Sequence, residues 1–351
     1  MALAPMDLPL FILSFIVILA SCELFTNGIE WVASRFNLSR GAVGSVLAAV
    51  GTALPETMVP LIAILLLPAS NGVGQEIGVG AIMGSPFMIG TLALFVCGLS
   101  LLLFRRRRSS RALKLDGDLV RRDLGFFLLA YTLAAAAAFL PSHLQWPRYL
   151  LGLGLLLLYG ACIRRTMRQG ADLEDDAGPL YTMRLFGLMS GKHGEAEPPT
   201  ALMVGQVLLA VVGIVAGAAM FVDQIQEISS ALGVPALVLS LLIAPMATEL
   251  PEMYNSFTWV RSGKDVYAMG NLTGAMVFQS CIPVTIGLLL TLWSIDIGEP
   301  QQALQAASMI IALLSAAVLY ISSSRRAIGL PNLLLGGVLY GAFIGLVLLI
   351  V

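Results

Sequence analysis

Three features of this sequence predict an all-α membrane protein: ten transmembrane helices in two inverted five-helix repeats, with the second and seventh helices broken. The 351-residue chain is 58% hydrophobic and only 12% charged, with a mean hydropathy of +0.89. Such a composition excludes an ordinary soluble globule. The apolar residues gather into ten segments, each near the roughly 20 residues that a helix needs to cross a bilayer. Finally, one twenty-residue stretch with a carboxylate near its centre occurs twice.

The first segment, about 8–33, follows a single charge, Asp7. Leu19-Ala20-Ser21-Cys22 has the form of a lipoprotein cleavage site, but no basic region precedes it, so the segment reads as a first membrane helix. The second, about 42–68, carries Gly51, Thr52, Pro55 and Glu56 near its middle. A charge at that depth costs roughly 3 kcal/mol on insertion scales, which makes its default reading functional. Pro55 removes a backbone donor beside the carboxylate and disturbs the helix. A broken helix next to a buried carboxylate exposes backbone carbonyls, and the two together make a cation site. The third segment, 76–103, opens on Gly80-Ala-Ile-Met-Gly84-Ser85. The fourth and fifth, 124–140 and 148–163, are short and are separated by Pro141 to Pro147.

Residues 164–200 form the one long polar stretch, basic at first and then acidic through Asp172, Glu174, Asp175, Asp176, Glu195 and Glu197. These acids lack the glycine turn and spacing of a calcium loop, so the stretch reads as a solvated linker.

Segments six to ten follow at 201–222, 235–260, 266–294, 304–322 and 330–350. Residues 237–256 repeat 41–60 in register, placing Thr52 on Thr248, Leu54 on Leu250, Pro55 on Pro251 and Glu56 on Glu252. Upstream, Phe25 falls on Phe221; downstream, Gly80 to Ser85 answers Gly270 to Ala275. The chain therefore divides into a first repeat at 1–163, a linker at 164–200 and a second repeat at 201–351. Five helices per repeat is an odd number, so the second copy enters the membrane from the opposite side. Glu56 and Glu252 then face each other near the midplane. The basic residues support this count: with the N-terminus outside, 19 of the 20 Lys and Arg fall in cytoplasmic loops, and only Arg148 does not. Both termini are expected on the non-cytoplasmic side. The short chain and the lack of a targeting segment point to a bacterial or archaeal cytoplasmic membrane.

Other chemistries find no support. The four cysteines (Cys22, Cys97, Cys162 and Cys281) are scattered through apolar segments and read as packing residues. The only histidines, His143 and His193, lie in predicted loops. There is no phosphate loop, nucleic-acid module or nucleophile–base pair, so neither an enzyme nor a bound cofactor is expected. The expected partners are the lipid bilayer and transported cations, with the protein a monomer.

Gly51-Thr-Ala-Leu-Pro-Glu56 and Ala247-Thr-Glu-Leu-Pro-Glu252, each followed by a Gly-x-x-x-Gly stretch, resemble the two α-repeats of the cation/calcium exchanger superfamily. That superfamily includes sodium/calcium and proton/calcium exchangers, and the similarity covers essentially the whole chain. The resemblance implies that Glu56 and Glu252 bind Ca²⁺ together with backbone oxygens of Thr52 and Thr248. Calcium takes six to eight oxygen ligands, and two carboxylates plus freed carbonyls approach that number. The chain departs from the sodium/calcium pattern at Ala53, Ile89, Ala275 and Gln279, which replace oxygens expected to hold Na⁺, while Glu249 adds a third carboxylate.

Ser85, Gln279 and Ser280, on the third and eighth segments, flank the expected site. Gln279 is a ligand candidate, whereas Ser85 serves equally as a ligand or as a small packing residue. Glu249, three residues before Glu252, shares a helical face with it if the helix persists. As a ligand it makes the site triply acidic; as a bystander it faces a water cavity. The predicted function is a secondary active antiporter exchanging a divalent cation, Ca²⁺ first, for Na⁺ or H⁺. The alternatives are proton-coupled exchange of Mg²⁺ or another divalent metal, and a divalent-cation channel.

Overall fold

The computed structural model describes residues 7–35, 54–66, 72–107, 112–141, 143–168, 180–184, 198–323 and 327–350. Among the described residues eleven helices carry the architecture: α1 (Asp7–Arg35), α2 (Leu54–Leu66), α3 (Val73–Leu103), α4 (Gly117–Ala138), α5 (Gln145–Arg168), α6 (Thr200–Leu232), α7 (Ala236–Thr248), α8 (Leu250–Arg261), α9 (Asp265–Leu290), α10 (Pro300–Ser323) and α11 (Leu330–Ile350). Among the described residues seven of these are long and apolar enough to cross a membrane, and the bent pair α7–α8 makes an eighth span. The protein is an all-helical integral membrane protein. Among the described residues the one sheet is a ribbon of β1 (Ala112–Lys114) and β2 (Ala327–Gly329), antiparallel with Leu113 opposite Ile328.

Helix ends differ from the apolar segments wherever a cap overrides hydropathy. α4 begins seven residues before its apolar run because Asp116 accepts hydrogen bonds from the Asp118 and Leu119 amides at 3.1 Å. That N-cap pulls Arg121, Arg122 and Asp123 into the helix. α6 runs ten residues past its predicted end, to a left-handed Gly233 (φ 67°), so Asp223 and Glu227 lie inside a helix rather than near its end. α1 continues through Cys22, which is buried.

α1 packs along α6, joined by a cluster in which Phe15 touches both Phe11 (4.7 Å between ring centres) and Phe221 (4.9 Å). A larger core is built from α3, α4, α7, α9, α10 and α11. At its centre α3 lies against α7, and glycines permit the contact. A methyl group added at Gly80 would meet the Ser240 hydroxyl and the Leu237 carbonyl, and one at Gly84 would meet the Leu241 carbonyl. Pro245 denies that Leu241 carbonyl its helical donor four residues on, so the helix offers an unshielded backbone face there. Farther along, α3 contains a π-helical turn at Ile89–Ala93, three residues after Pro86. Ser315 of α10 donates a hydrogen bond to the Gly90 carbonyl inside that turn.

Arg148, the one basic residue predicted away from the cytoplasm, is fully buried in the first turn of α5. Its guanidinium donates to the Leu140 carbonyl at 2.7 Å and the Ala137 carbonyl at 3.4 Å, closing the C-terminal end of α4. Neighbouring carbonyls of the same helix end are taken by Trp293 Nε1 (Ala134, 2.9 Å) and the Ile295 amide (Ala138, 2.8 Å). A cation at a helix C-terminus is favoured by the orphan carbonyls and the helix dipole. Arg148→Met is expected to destabilise the protein by about 1–3 kcal/mol, because the Leu140 carbonyl loses its donor while Ala137 keeps the Leu140 amide. The check is thermal unfolding in detergent; an unchanged melting temperature would overturn this role.

Part of the linker is docked rather than solvated. Within residues 180–184 the Tyr181 amide donates to Asn27 Oδ1 (3.0 Å), the Thr182 amide to Gln206 Oε1 (2.9 Å) and the Tyr181 hydroxyl to Glu23 Oε1 (2.7 Å). Gln206 in turn donates to the Leu24 carbonyl and to Asn27. Polar side chains inside the long helices α1 and α6 thus hold the backbone of the linker between them. The acidic part of the linker, Asp172 to Asp176 with Glu195 and Glu197, lies outside the described residues.

Candidate functional site

The two glutamates predicted from the repeat occupy equivalent local positions. Glu56 is the third residue of α2 and Glu252 the third of α8, each directly after a proline at the second helical position. Proline fits a helix's first turn, where its missing N–H has no intrahelical acceptor. A carboxylate there faces the positive end of the helix dipole. Upstream of α8 the chain bends by 46° between α7 and α8. The bend sits at Glu249, which closes α7 and opens α8, rather than at Pro251. Pro251 lacks the donor that would reach the Ala247 carbonyl across it.

Because the helix breaks at Glu249, the expectation of one continuous face for Glu249 and Glu252 does not hold. The two carboxylates meet nonetheless, and Glu56 joins them from the other half of the chain. The three side chains are 2% (Glu56), 0% (Glu249) and 2% (Glu252) exposed. One carboxylate oxygen from each lies within 4.8 Å of the others. Two oxygens bound to one Ca²⁺ at about 2.4 Å can be at most about 4.8 Å apart, so this spacing suits three ligands on a single ion. Burial of three acids is unfavourable unless positive charge joins them.

Gln279 of α9, fully buried, ties the two halves together. Its Nε2 donates to Glu56 Oε2 at 2.9 Å and to Glu249 Oε1 at 2.8 Å. The remaining oxygens, Glu56 Oε1, Glu249 Oε2 and Gln279 Oε1, are buried and accept no hydrogen bond. A buried acceptor left unmet is costly, and a cation in their midst would satisfy all three. Ser85 of α3 is buried beside Glu249.

The other residues named from sequence separate clearly. Thr248 is buried in the last turn of α7, its hydroxyl turned back to the Pro245 carbonyl at 3.5 Å. Thr52 lies outside the described residues. Ser280 donates to Val277 of its own helix at 2.9 Å and does not join the carboxylates. Asn271 reaches the Glu252 carbonyl and Ser256 Oγ, each at 3.4 Å, so it steadies the helix that carries Glu252.

Sequence reasoning missed Asp123, buried in α4. It is held by Arg122 (2.8 and 2.9 Å) and by Thr273 of α9 (3.1 Å), a local neutralisation that locks α4 to the helix bearing Gln279. The signal available was an Arg-Asp pair at the start of an apolar run.

A family model described as "Sodium/calcium exchanger protein" matches residues 7–167 and 202–351. Among individual proteins, the chain is 26% identical over 344 residues to a candidate antiporter named CaxA from Alkalimonas amylolytica, covering 95% of each. Two solved structures share its fold. The sodium-calcium exchanger NCX_Mj superposes with a TM-score of 0.57 at 21% identity, covering 98% of this chain and 99% of that one. An H⁺/Ca²⁺ exchanger, CAX, gives 0.64 at 18% identity, covering 98% and 87%.

Proposed function

Because the chain belongs to the sodium/calcium exchanger protein family, we propose that it is a secondary active antiporter that exchanges a divalent cation, Ca²⁺ first, for a monovalent counter-ion by alternating access. The observation that carries this reading is the trio of buried carboxylates drawn from both halves of the chain, with oxygens within 4.8 Å of one another. Glu56, Glu249 and Glu252 bind the divalent ion, with Gln279 and Ser85 as neutral oxygen donors and backbone oxygens near Thr52 and Thr248 completing the shell. Mg²⁺ fits less well, since it demands near-ideal octahedral geometry and holds its waters.

Three carboxylates around one divalent ion leave one negative charge. When the divalent ion leaves, the vacated site needs positive charge from either H⁺ or Na⁺. Glu249 is an acid beyond the pair that the repeat supplies, and this extra acid favours H⁺ as the counter-ion.

Ten spans and an inverted repeat accompany this reading, with first repeat 1–163, linker 164–200 and second repeat 201–351. The packing supports the symmetry. α9 lies against α5 and α4, and its counterpart α3 lies against α11 and α10, the counterparts of α5 and α4; α1 and α6 pair with each other. The α1–α6 pair is the element that moves against the rest. Both termini then lie outside a bacterial or archaeal cytoplasmic membrane. No covalent chemistry is proposed.

The test is divalent-cation uptake into proteoliposomes, with a pH gradient and a Na⁺ gradient imposed separately. Wild type is expected to take up Ca²⁺ when the inside is acidic, and Glu249→Ser to lose most of that drive. Uptake driven only by Na⁺ would reject H⁺ coupling and keep the antiporter. Downhill flux that needs neither counter-ion would reject the antiporter in favour of a channel.

A further inference from the structure

We propose that the groove between α4, α5 and α10 binds an anionic phospholipid, its phosphate held by arginines and an acyl chain laid along α4. The groove has a volume of about 610 Å³ and is lined at one end by Arg121, Arg122, Arg165 and Tyr320. Further along the same groove stand Phe126 and Leu129, and Leu129 is 52% exposed. Residues four apart lie above one another on a helix, so Arg121, Gly125 and Leu129 form one row and Arg122 and Phe126 another. Over about two turns, roughly 12 Å, the wall passes from guanidinium to bare backbone to hydrocarbon. That gradient is the gradient of a phospholipid, charged at one end and apolar below. A free phosphate would use only the arginine end.

The charged end is held in shape. Arg122 is paired with Asp123 at 2.8 Å, and the Arg121 guanidinium lies 5.1 Å above the Tyr320 ring. A guanidinium stacked on a ring keeps its edge donors available for a phosphate. Asp118 also lines this end; with Arg122 already paired to Asp123, Arg121 and Arg165 outweigh it. A Cβ at Gly125 would find Tyr320 Cε2 at 3.8 Å and nothing nearer, so the middle of the groove is open. The β1–β2 ribbon places the same end of the bundle beside Arg105 and Arg106, which line a second groove next to Leu330. Basic pockets between membrane helices, at the face where basic residues gather, suit anionic headgroups.

The test uses the full-length protein, delipidated in a non-ionic detergent, with phosphatidylglycerol, phosphatidylcholine and inorganic phosphate added in turn. Native mass spectrometry and thermal unfolding are the readouts, and neither depends on transport. Phosphatidylglycerol is expected to give a retained adduct and a higher melting temperature, and phosphatidylcholine neither. Both effects should vanish in the double variant Arg121→Gln/Arg165→Gln. Gly125→Ile leaves every guanidinium in place and fills the groove below them, so it should abolish the adduct as well and covers the case in which the double variant does not fold. Equal retention of phosphatidylglycerol by wild type and Gly125→Ile would overturn the proposal. So would inorganic phosphate reproducing the whole thermal shift.

Discussion

Glu252→Gln is expected to reduce divalent-cation transport by about 100-fold or more while leaving the protein folded. The amide keeps the shape of the side chain and removes one negative charge from a trio whose oxygens lie within 4.8 Å of each other. Changes to groups that merely support a metal ligand cost 10–100-fold in affinity as a general rule, so loss of a direct, charged ligand belongs at or beyond the top of that range. The matching expectation on stability has the opposite sign. Two like charges this close repel by about 3–4 kcal/mol at the effective dielectric that suits buried sites. Without divalent cation, Glu252→Gln should therefore unfold at the same temperature as wild type or higher.

Added Ca²⁺ separates the two proteins. A ligand at about 100 times its dissociation constant stabilises a folded state by about 2.7 kcal/mol, so wild type should gain a clear rise in melting temperature. The variant should gain none at the same concentration. Thermal unfolding in chelator and then in Ca²⁺ is the measurement, alongside uptake. A variant that keeps the full Ca²⁺-dependent rise would remove Glu252 from the site.

How far the sequence reaches can be argued from these same residues. Glu56 and Glu252 were legible because duplication supplies its own control: the same proline-glutamate pair occurs twice, at a depth where a charge needs a reason. The local consequence was legible too, since each glutamate does fall in the first turn of a helix behind a proline. The position of the break was not. It falls at Glu249, two residues before Pro251, and hydropathy does not register the difference. Gln279 could be suspected from the helix it occupies, but its hydrogen bonds to Glu56 and Glu249 are contacts across 223 and 30 residues of chain. Arg148 shows the limit most plainly. In sequence it reads as a lone exception to a charge rule, and only the buried end of α4 explains why a guanidinium belongs there. The docking of Tyr181 on Asn27, 154 residues away, was hidden for the same reason: a polar residue inside an apolar segment announces that it has a partner but not which one.

Gly84→Val should have the largest effect of any single substitution on the fold. Gly84 lies against the backbone of α7, where a Cβ would collide with the Leu241 carbonyl and with Pro245. A side chain in that position could turn away; a carbonyl in the middle of a helix cannot. The two helices would have to part, and overpacking of this kind costs about 3 kcal/mol or more. The displacement would also reach the candidate site, because Ser85 follows Gly84 on α3 and Glu249 closes α7. Gly154→Val is the fitting control. Gly154 lies within α5, and a Cβ there meets nothing within 4 Å. The measurement is the yield of monodisperse protein in detergent, together with its melting temperature. Gly154→Val should behave as wild type, and Gly84→Val should be poorly recovered or melt well below it. If both variants were recovered alike, the tight α3–α7 contact would not be what holds the two halves of the site together, and the geometry of the three carboxylates would have to rest on Gln279 instead.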